Sequence, residues 1–132
     1  MKRSIGLLVL TFALCLSLPA VTEAASSLPA GFIALAPGKM NLKNAKAYCA
    51  SKGGRLPFIG GKNSCFSVPK GTPIDGLGAM GAKWPSGLPR DYYWTGTADS
   101  TYPWIVYADE GSVGASVPDG VENLTYRVVC VP

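Results

Sequence analysis

The sequence predicts an α+β domain: a mainly antiparallel sheet, one main helix near its start, and a long irregular segment between them. Three observations predict it. Residues 41–52 place an N-cap candidate and apolar residues at helical spacing. Four β-rich runs crowd into residues 91–132. Between these regions, residues 58–90 hold seven glycines and four prolines in 33 positions, with little periodicity.

In chain order, the first 24 residues are expected to be a signal peptide. Lys2 and Arg3 give a positive start, an apolar run reaches Leu18, and small residues around Ala24 favour cleavage there. The run is short for a membrane span, which needs about 20 residues. Cys15 follows Leu14, where lipid attachment prefers a small residue. Residues 25–132 then form one domain of 108 residues. Within it, GFIALAP from Gly31 is a strand closed by Pro37 and Gly38. Asn41 caps a helix whose inner face carries Leu42, Ala45, Tyr48 and Cys49, with Lys43, Lys46 and Lys52 outside. Gly53 and Gly54 supply a left-handed cap and Pro57 prevents resumption. In the irregular segment, a short helix is expected around residues 74–80, weakened by glycines at 76, 78 and 81. Beyond it, YYWTGT, WIVYA, VGASV and LTYRVVCV read as strands, with DEGS as a hairpin turn. Trp94, Trp104 and Tyr126 read as core or cross-strand aromatics.

Composition excludes disorder, since apolar content is high and charge is low. Cleavage after Ala24 would remove Lys2, Arg3 and Glu23 and change the net charge from +4 to +3. Nine basic residues lie between Lys39 and Arg90 against Asp75 alone, whereas six acidic and no basic residues lie between Asp91 and Glu122. Such asymmetry builds a dipolar surface unless folding interleaves the halves, which is the simpler expectation.

Three cysteines remain after cleavage: Cys49, Cys65 and Cys130. In an exported chain they are disulfide candidates, and three permit one bridge with one thiol left over. Cys49–Cys130 would tie the last strand to the helix, and is preferred to the two other pairings, which stay open. Closing so long a loop is worth about 4 kcal/mol in the chain-entropy model. Cys65 is then a buried thiol or an intermolecular link. The chain has no histidine, which removes Ser-His-Asp and Cys-His nucleophile systems and every histidine metal site. The carboxylates Asp109 and Glu110, and Asp119 with Glu122, sit in glycine-bearing turns. No catalytic residue, metal site or cofactor is expected.

The ordered set AKxYC at residues 45–49, GGRLP at 53–57, YWTGT at 93–97, WIVY at 104–107 and RVVCV at 127–131 resembles a bacterial C-type-lectin-like domain. It is most similar to the exported type at the C-terminus of collagen-like adhesins, over about 90 residues. The resemblance implies that fold and the Cys49–Cys130 bridge. Two features depart from it. FIGG follows Arg-Leu-Pro, where such domains start a second helix, so that helix is expected to be shortened, displaced or absent. The long calcium loop and its Glu-Pro-Asn, Gln-Pro-Asp and Trp-Asn-Asp motifs are missing, so calcium-dependent sugar binding is not implied.

The expected function is an exported, non-catalytic binding or adhesion module for a glycan or envelope protein, independent of calcium. Lys62, Lys70, Lys83 and Arg90, with Trp84, are the candidate contacts to an anionic polysaccharide or acidic protein. The alternative is a structural or assembly subunit of a cell-envelope complex, linked through Cys65 or by self-association. A formylglycine-generating type of enzyme is disfavoured by size and by its missing cysteine constellation. No nucleic-acid partner is expected.

Overall fold

The computed structural model describes residues 28–60, 68–99, 102–119 and 121–132. The expected signal peptide at 1–24, Lys62 and Cys65 lie outside the described residues. Among the described residues the fold is α+β, with one α-helix and antiparallel strand pairs: β1 (Ala34–Leu35), α1 (Leu42–Ser51), β2 (Pro73–Ile74), β3 (Gly78–Ala79), β4 (Tyr92–Asp99), β5 (Tyr102–Asp109), β6 (Ser112–Ser116) and β7 (Val129–Cys130). A 3-10 turn, Val121–Asn123, precedes β7.

Helix α1 starts and stops where its residues dictate. The Asn41 side chain accepts from Asn44 N–H at 2.9 Å, meeting one of the unpaired amides of the first turn. At the other end Gly53 has φ +81. Gly54 N–H donates to Cys49 O at 2.9 Å and Gly53 N–H to Ala50 O at 3.1 Å, the pair of bonds that defines a Schellman cap. A side chain at Gly54 would run into the Val131 carbonyl. The chain can therefore turn directly onto the C-terminal strand, where Arg55 and Val131 exchange two backbone bonds of 2.8 Å.

Cys49 and Cys130 form the disulfide, their Cα atoms 5.4 Å apart, and both are fully buried. Around it pack Ala36, Ala45, Leu56, Trp94, Ile105 and Val128. Strand β1 pairs with β7, Ala34 opposite Cys130 and Leu35 opposite Val129, so the start and end of the domain share one ladder.

Strands β4, β5 and β6 form an antiparallel sheet in that order. Because neighbouring side chains point to opposite faces, Trp94 and Ile105 reach the disulfide cluster, while Tyr93, Trp104, Val106 and Val113 belong to a second cluster. Both faces of the central ribbon are thus buried around Trp94 and Ile105, where its strands show continuous apolar runs instead of alternation. The β5–β6 turn is Glu110-Gly111, at φ 49 and φ 84; two residues at positive φ suit the strand twist of a tight hairpin. A bulge interrupts β4 between Trp94 and Ala98. Thr95 Oγ1 donates to Trp104 O at 2.6 Å within it. Gly96 N–H donates to Pro57 O at 2.8 Å, and Thr97 Oγ1 accepts from Ile59 N–H at 2.7 Å, so the bulge anchors the chain leaving α1.

The helix expected at 74–80 is absent. Residues 73–79 make a β2–β3 hairpin, Pro73 opposite Ala79 and Ile74 opposite Gly78. Gly76, Gly78 and Gly81 all have positive φ, incompatible with a right-handed helix. Gly76 also leaves room for the Phe32 ring, which occupies the place a Cβ would take. Nor is the described part of 58–90 an open loop: Ile59, Val68, Ile74, Leu77, Trp84 and Leu88 are buried in the second cluster. Residues 81–84 extend the sheet along β6, Gly81 N–H bonding Val113 O and Val113 N–H bonding Ala82 O, both at 2.8 Å. No helix among the described residues is long and apolar enough to cross a membrane.

Candidate ligand-binding surface

Lys70, Lys83 and Arg90 converge on one end of the sheet. Lys83 bridges Ser112; a Cβ at Gly81 would meet the Lys70 stem at 2.9 Å; one at Gly111 would meet the Arg90 guanidinium at 3.4 Å. All three are exposed. They share this edge with Asp109 and Glu110, so the end is mixed in charge. The two halves of the sequence also meet at Lys39 and Asp91, while other ion pairs form within the first half and to Arg127, just before β7. Lys39 and Arg127 both meet Asp91, at 3.6 and 2.9 Å, and Arg55 meets Asp75 at 2.8 Å.

Trp84 is a correction. It is 4% exposed, its ring packs 5.9 Å from that of Tyr93, and its indole N–H donates to Leu88 O at 2.8 Å. Its backbone N–H bonds Gly111 O at 2.6 Å. With its ring packed and its only side-chain donor used, Trp84 offers no face to a ligand and instead pins residues 81–90 to the sheet.

A different surface offers what Trp84 does not. In β4, Tyr92 shares a face with Trp94; in β5, Tyr107 shares it with Ile105. The helix covers Trp94 but leaves this end of the face open. Tyr92 is 47% exposed, and Tyr107 and Tyr126 are half-buried. The Tyr92 ring lies 5.3 Å from Tyr107 and 5.8 Å from Tyr126. Tyr107 extends over Gly114, where a Cβ would meet its ring at 2.9 Å. The shelf is fixed from beneath, since Tyr126 meets Trp94 edge-on at 4.8 Å and the Trp94 indole donates to Met40 O at 2.8 Å. Tyr126 and Met40 also exchange backbone bonds of 3.0 and 3.1 Å.

Asp91 organises the edge of this shelf. Its Oδ1 accepts from Tyr92 N–H at 2.8 Å and its Oδ2 from Arg127 Nε at 2.9 Å. Desolvation pulls its carboxyl upward, but the Tyr92 amide, Arg127 and Lys39 outweigh that and hold it below the usual 3.8. Burial, with Tyr92 and Asp119 nearby, raises Tyr126 above the usual 10.0, so its hydroxyl stays protonated at neutral pH. The result is three adjoining aromatic rings carrying hydroxyls, bordered by two cations and two carboxylates. Such a surface stacks apolar C–H faces and hydrogen-bonds polar groups.

Sequence reading treated these tyrosines as strand or core residues. One signal pointed to the shelf: a two-residue turn at Glu110-Gly111 sets Tyr107 opposite Gly114, leaving an aromatic beside a residue with no side chain. Among the described residues, no group of three or more His, Cys, Asp or Glu side chains converges as metal ligands. Lys62 and Cys65 cannot be placed on either surface because they lie outside the described residues. No protein-family model, curated protein or solved structure matches the chain.

Proposed function

We propose that residues 25–132 are an exported, non-catalytic binding module with a C-type-lectin-like fold that recognises a glycan without calcium, residues 1–24 being its signal peptide. The observation that carries this reading is the tyrosine shelf of Tyr92, Tyr107 and Tyr126. Aromatic rings held rigidly at a surface bind with little loss of side-chain entropy. Tyrosine adds a hydroxyl for hydrogen bonding at the edge of each stacking face. The buried Cys49–Cys130 bridge supports export, because such bridges persist in oxidising compartments. The order of elements, with a helix disulfide-linked to the last strand and first and last strands paired, supports the fold assignment. Lys39 and Arg127 balance Asp91 and Asp119 around the shelf, which suits a neutral glycan.

A broad glycan and envelope-protein panel, probed with the 25–132 domain in the presence of a chelator, tests the reading. Glycan binding is expected, with loss in Tyr92→Ala at unchanged thermal midpoint. Binding only to envelope proteins would replace the glycan with a protein partner; binding to nothing on the panel, or only with added calcium, overturns the proposal.

A further inference from the structure

A second concave surface lies at the other end of β4. It is a cleft of about 290 Å³ between α1, the 54–58 arch and the β4 bulge, lined by Lys46, Ala50, Gly54, Arg55, Leu56, Phe58 and Gly96. None of its lining residues belongs to the tyrosine shelf, so the two surfaces are distinct.

Its walls are built. Phe58 is 45% exposed although it is wholly apolar, and three contacts hold it. The Arg55 guanidinium stacks 4.3 Å from its ring centroid. Its backbone N–H donates to Asp75 Oδ2 at 2.9 Å. Its ring edge lies on Gly96, where a Cβ would come within 2.5 Å of it. Arg55 is itself positioned by Asp75 Oδ2 and by Leu56 O, which accept from the same Nη1 at 2.8 and 3.1 Å. The fold thus spends an ion pair, a backbone bond and a glycine on keeping an apolar ring at the surface. On the helical rim Lys46 is exposed and makes no ion pair with another described residue. Lys46 and Arg55 against Asp75 give the cleft one net positive charge.

We infer that this cleft binds an acidic sugar residue of a hexuronate type, its carboxylate paired with Lys46 and its ring packed against the Phe58 wall. The cleft lies at the small end of ligand sites and takes about one pyranose ring. A hexuronate presents both a C–H face for the aromatic wall and a carboxylate for the ammonium. The charge complementarity selects an anion, and the exposed ring selects a partner with an apolar face. The inference rests on the glycan reading proposed above and adds a second, charge-selective contact to it.

Calorimetric titration of the 25–132 domain with oligogalacturonate and with a neutral oligosaccharide of the same length tests it, using Lys46→Ala, Phe58→Ala and Tyr92→Ala. The expected result is tighter binding of the uronate, weakened about fivefold by Lys46→Ala and about tenfold by Phe58→Ala, and further weakened by added salt. Tyr92→Ala should weaken both oligomers by the same factor, so that the ratio of uronate to neutral affinity persists. Circular dichroism of each variant identifies any that fail to fold, and Lys46→Gln, an exposed helical substitution, provides a second charge removal. Equal binding of charged and neutral oligomers, or uronate binding indifferent to Lys46, overturns the inference while leaving the shelf intact. Lys46-dependent binding of an acidic peptide in place of the uronate also overturns it. Loss of all binding in Tyr92→Ala with Lys46→Ala silent places recognition on the shelf alone.

Discussion

The clasped half of the domain and the glycine-rich segment reach the same degree of burial by different routes. In the first, α1, β1 and β7 are regular elements joined by backbone ladders and by Cys49–Cys130. In the second, residues 68–90 contain two strands of two residues each, and glycines at positive φ aim isolated side chains inward: Val68, Ile74, Leu77, Trp84 and Leu88. The difference teaches that an aperiodic segment can be core. Its order comes from anchors and turns, so it lacks the repeating signal that marks a helix or strand.

Removing the disulfide should produce the largest effect. The Cys49→Ala, Cys130→Ala double variant is expected to lose about 4 kcal/mol of unfolding free energy, read from urea denaturation. A loss below about 1 kcal/mol would mean that the paired strands hold the first half without their clasp. Next comes Trp84→Ala, expected to cost about 3 kcal/mol because the ring fills the core and its indole is bonded. If residues 81–90 were merely a surface loop, the same change would be nearly silent, and the contrast between the halves would have to be redrawn.

Much of the first half was legible. Asn41 and the Gly53-Gly54 pair marked the ends of α1, and the expectation of export together with the resemblance pointed to the bridge. The DEGS turn and three of the late strands also emerged, because tight turns and β-branched runs are local signals. The hairpin at 73–79 replaces the helix expected at 74–80 because the glycines that weakened that expectation adopt positive φ and turn the chain. Trp84 was misread as a ligand contact because a tryptophan among lysines does not reveal whether a pocket waits for it. The tyrosine shelf and the Phe58 cleft were hidden for another reason. Each joins residues far apart in sequence, and their exposure depends on how far α1 extends over the sheet face.

Two smaller effects sharpen the comparison further. Gly54→Ala should cost about 2 kcal/mol, since its Cβ would collide with the Val131 carbonyl. Gly71→Ala, at φ +91 but in open space, should cost about 1 kcal/mol; thermal melts distinguish the two. A close backbone approach is thus more demanding than a turn alone. The smallest effect is acid sensitivity. At Asp75, desolvation acts upward, but the Phe58 amide and Arg55 prevail and lower the carboxyl below 3.8; Asp91 is lowered likewise. Both therefore contribute stability that is present above about pH 4 and lost as pH falls through their lowered values. Solvent screening limits each to less than about 1 kcal/mol. The slope of stability below pH 4 should flatten in Asp91→Asn, whereas an unchanged slope would remove Asp91 from the account.

The claim that this domain binds through its tyrosine shelf is tested most directly by nuclear magnetic resonance. The isotope-labelled 25–132 domain would be titrated, in chelator, with the glycan that binds best on the panel. Saturable shift changes are expected at Tyr92, Tyr107, Gly114 and Tyr126, with Lys70 and Lys83 unmoved. Saturable changes confined to the Lys70, Lys83 and Arg90 edge, with the tyrosines silent, would contradict it.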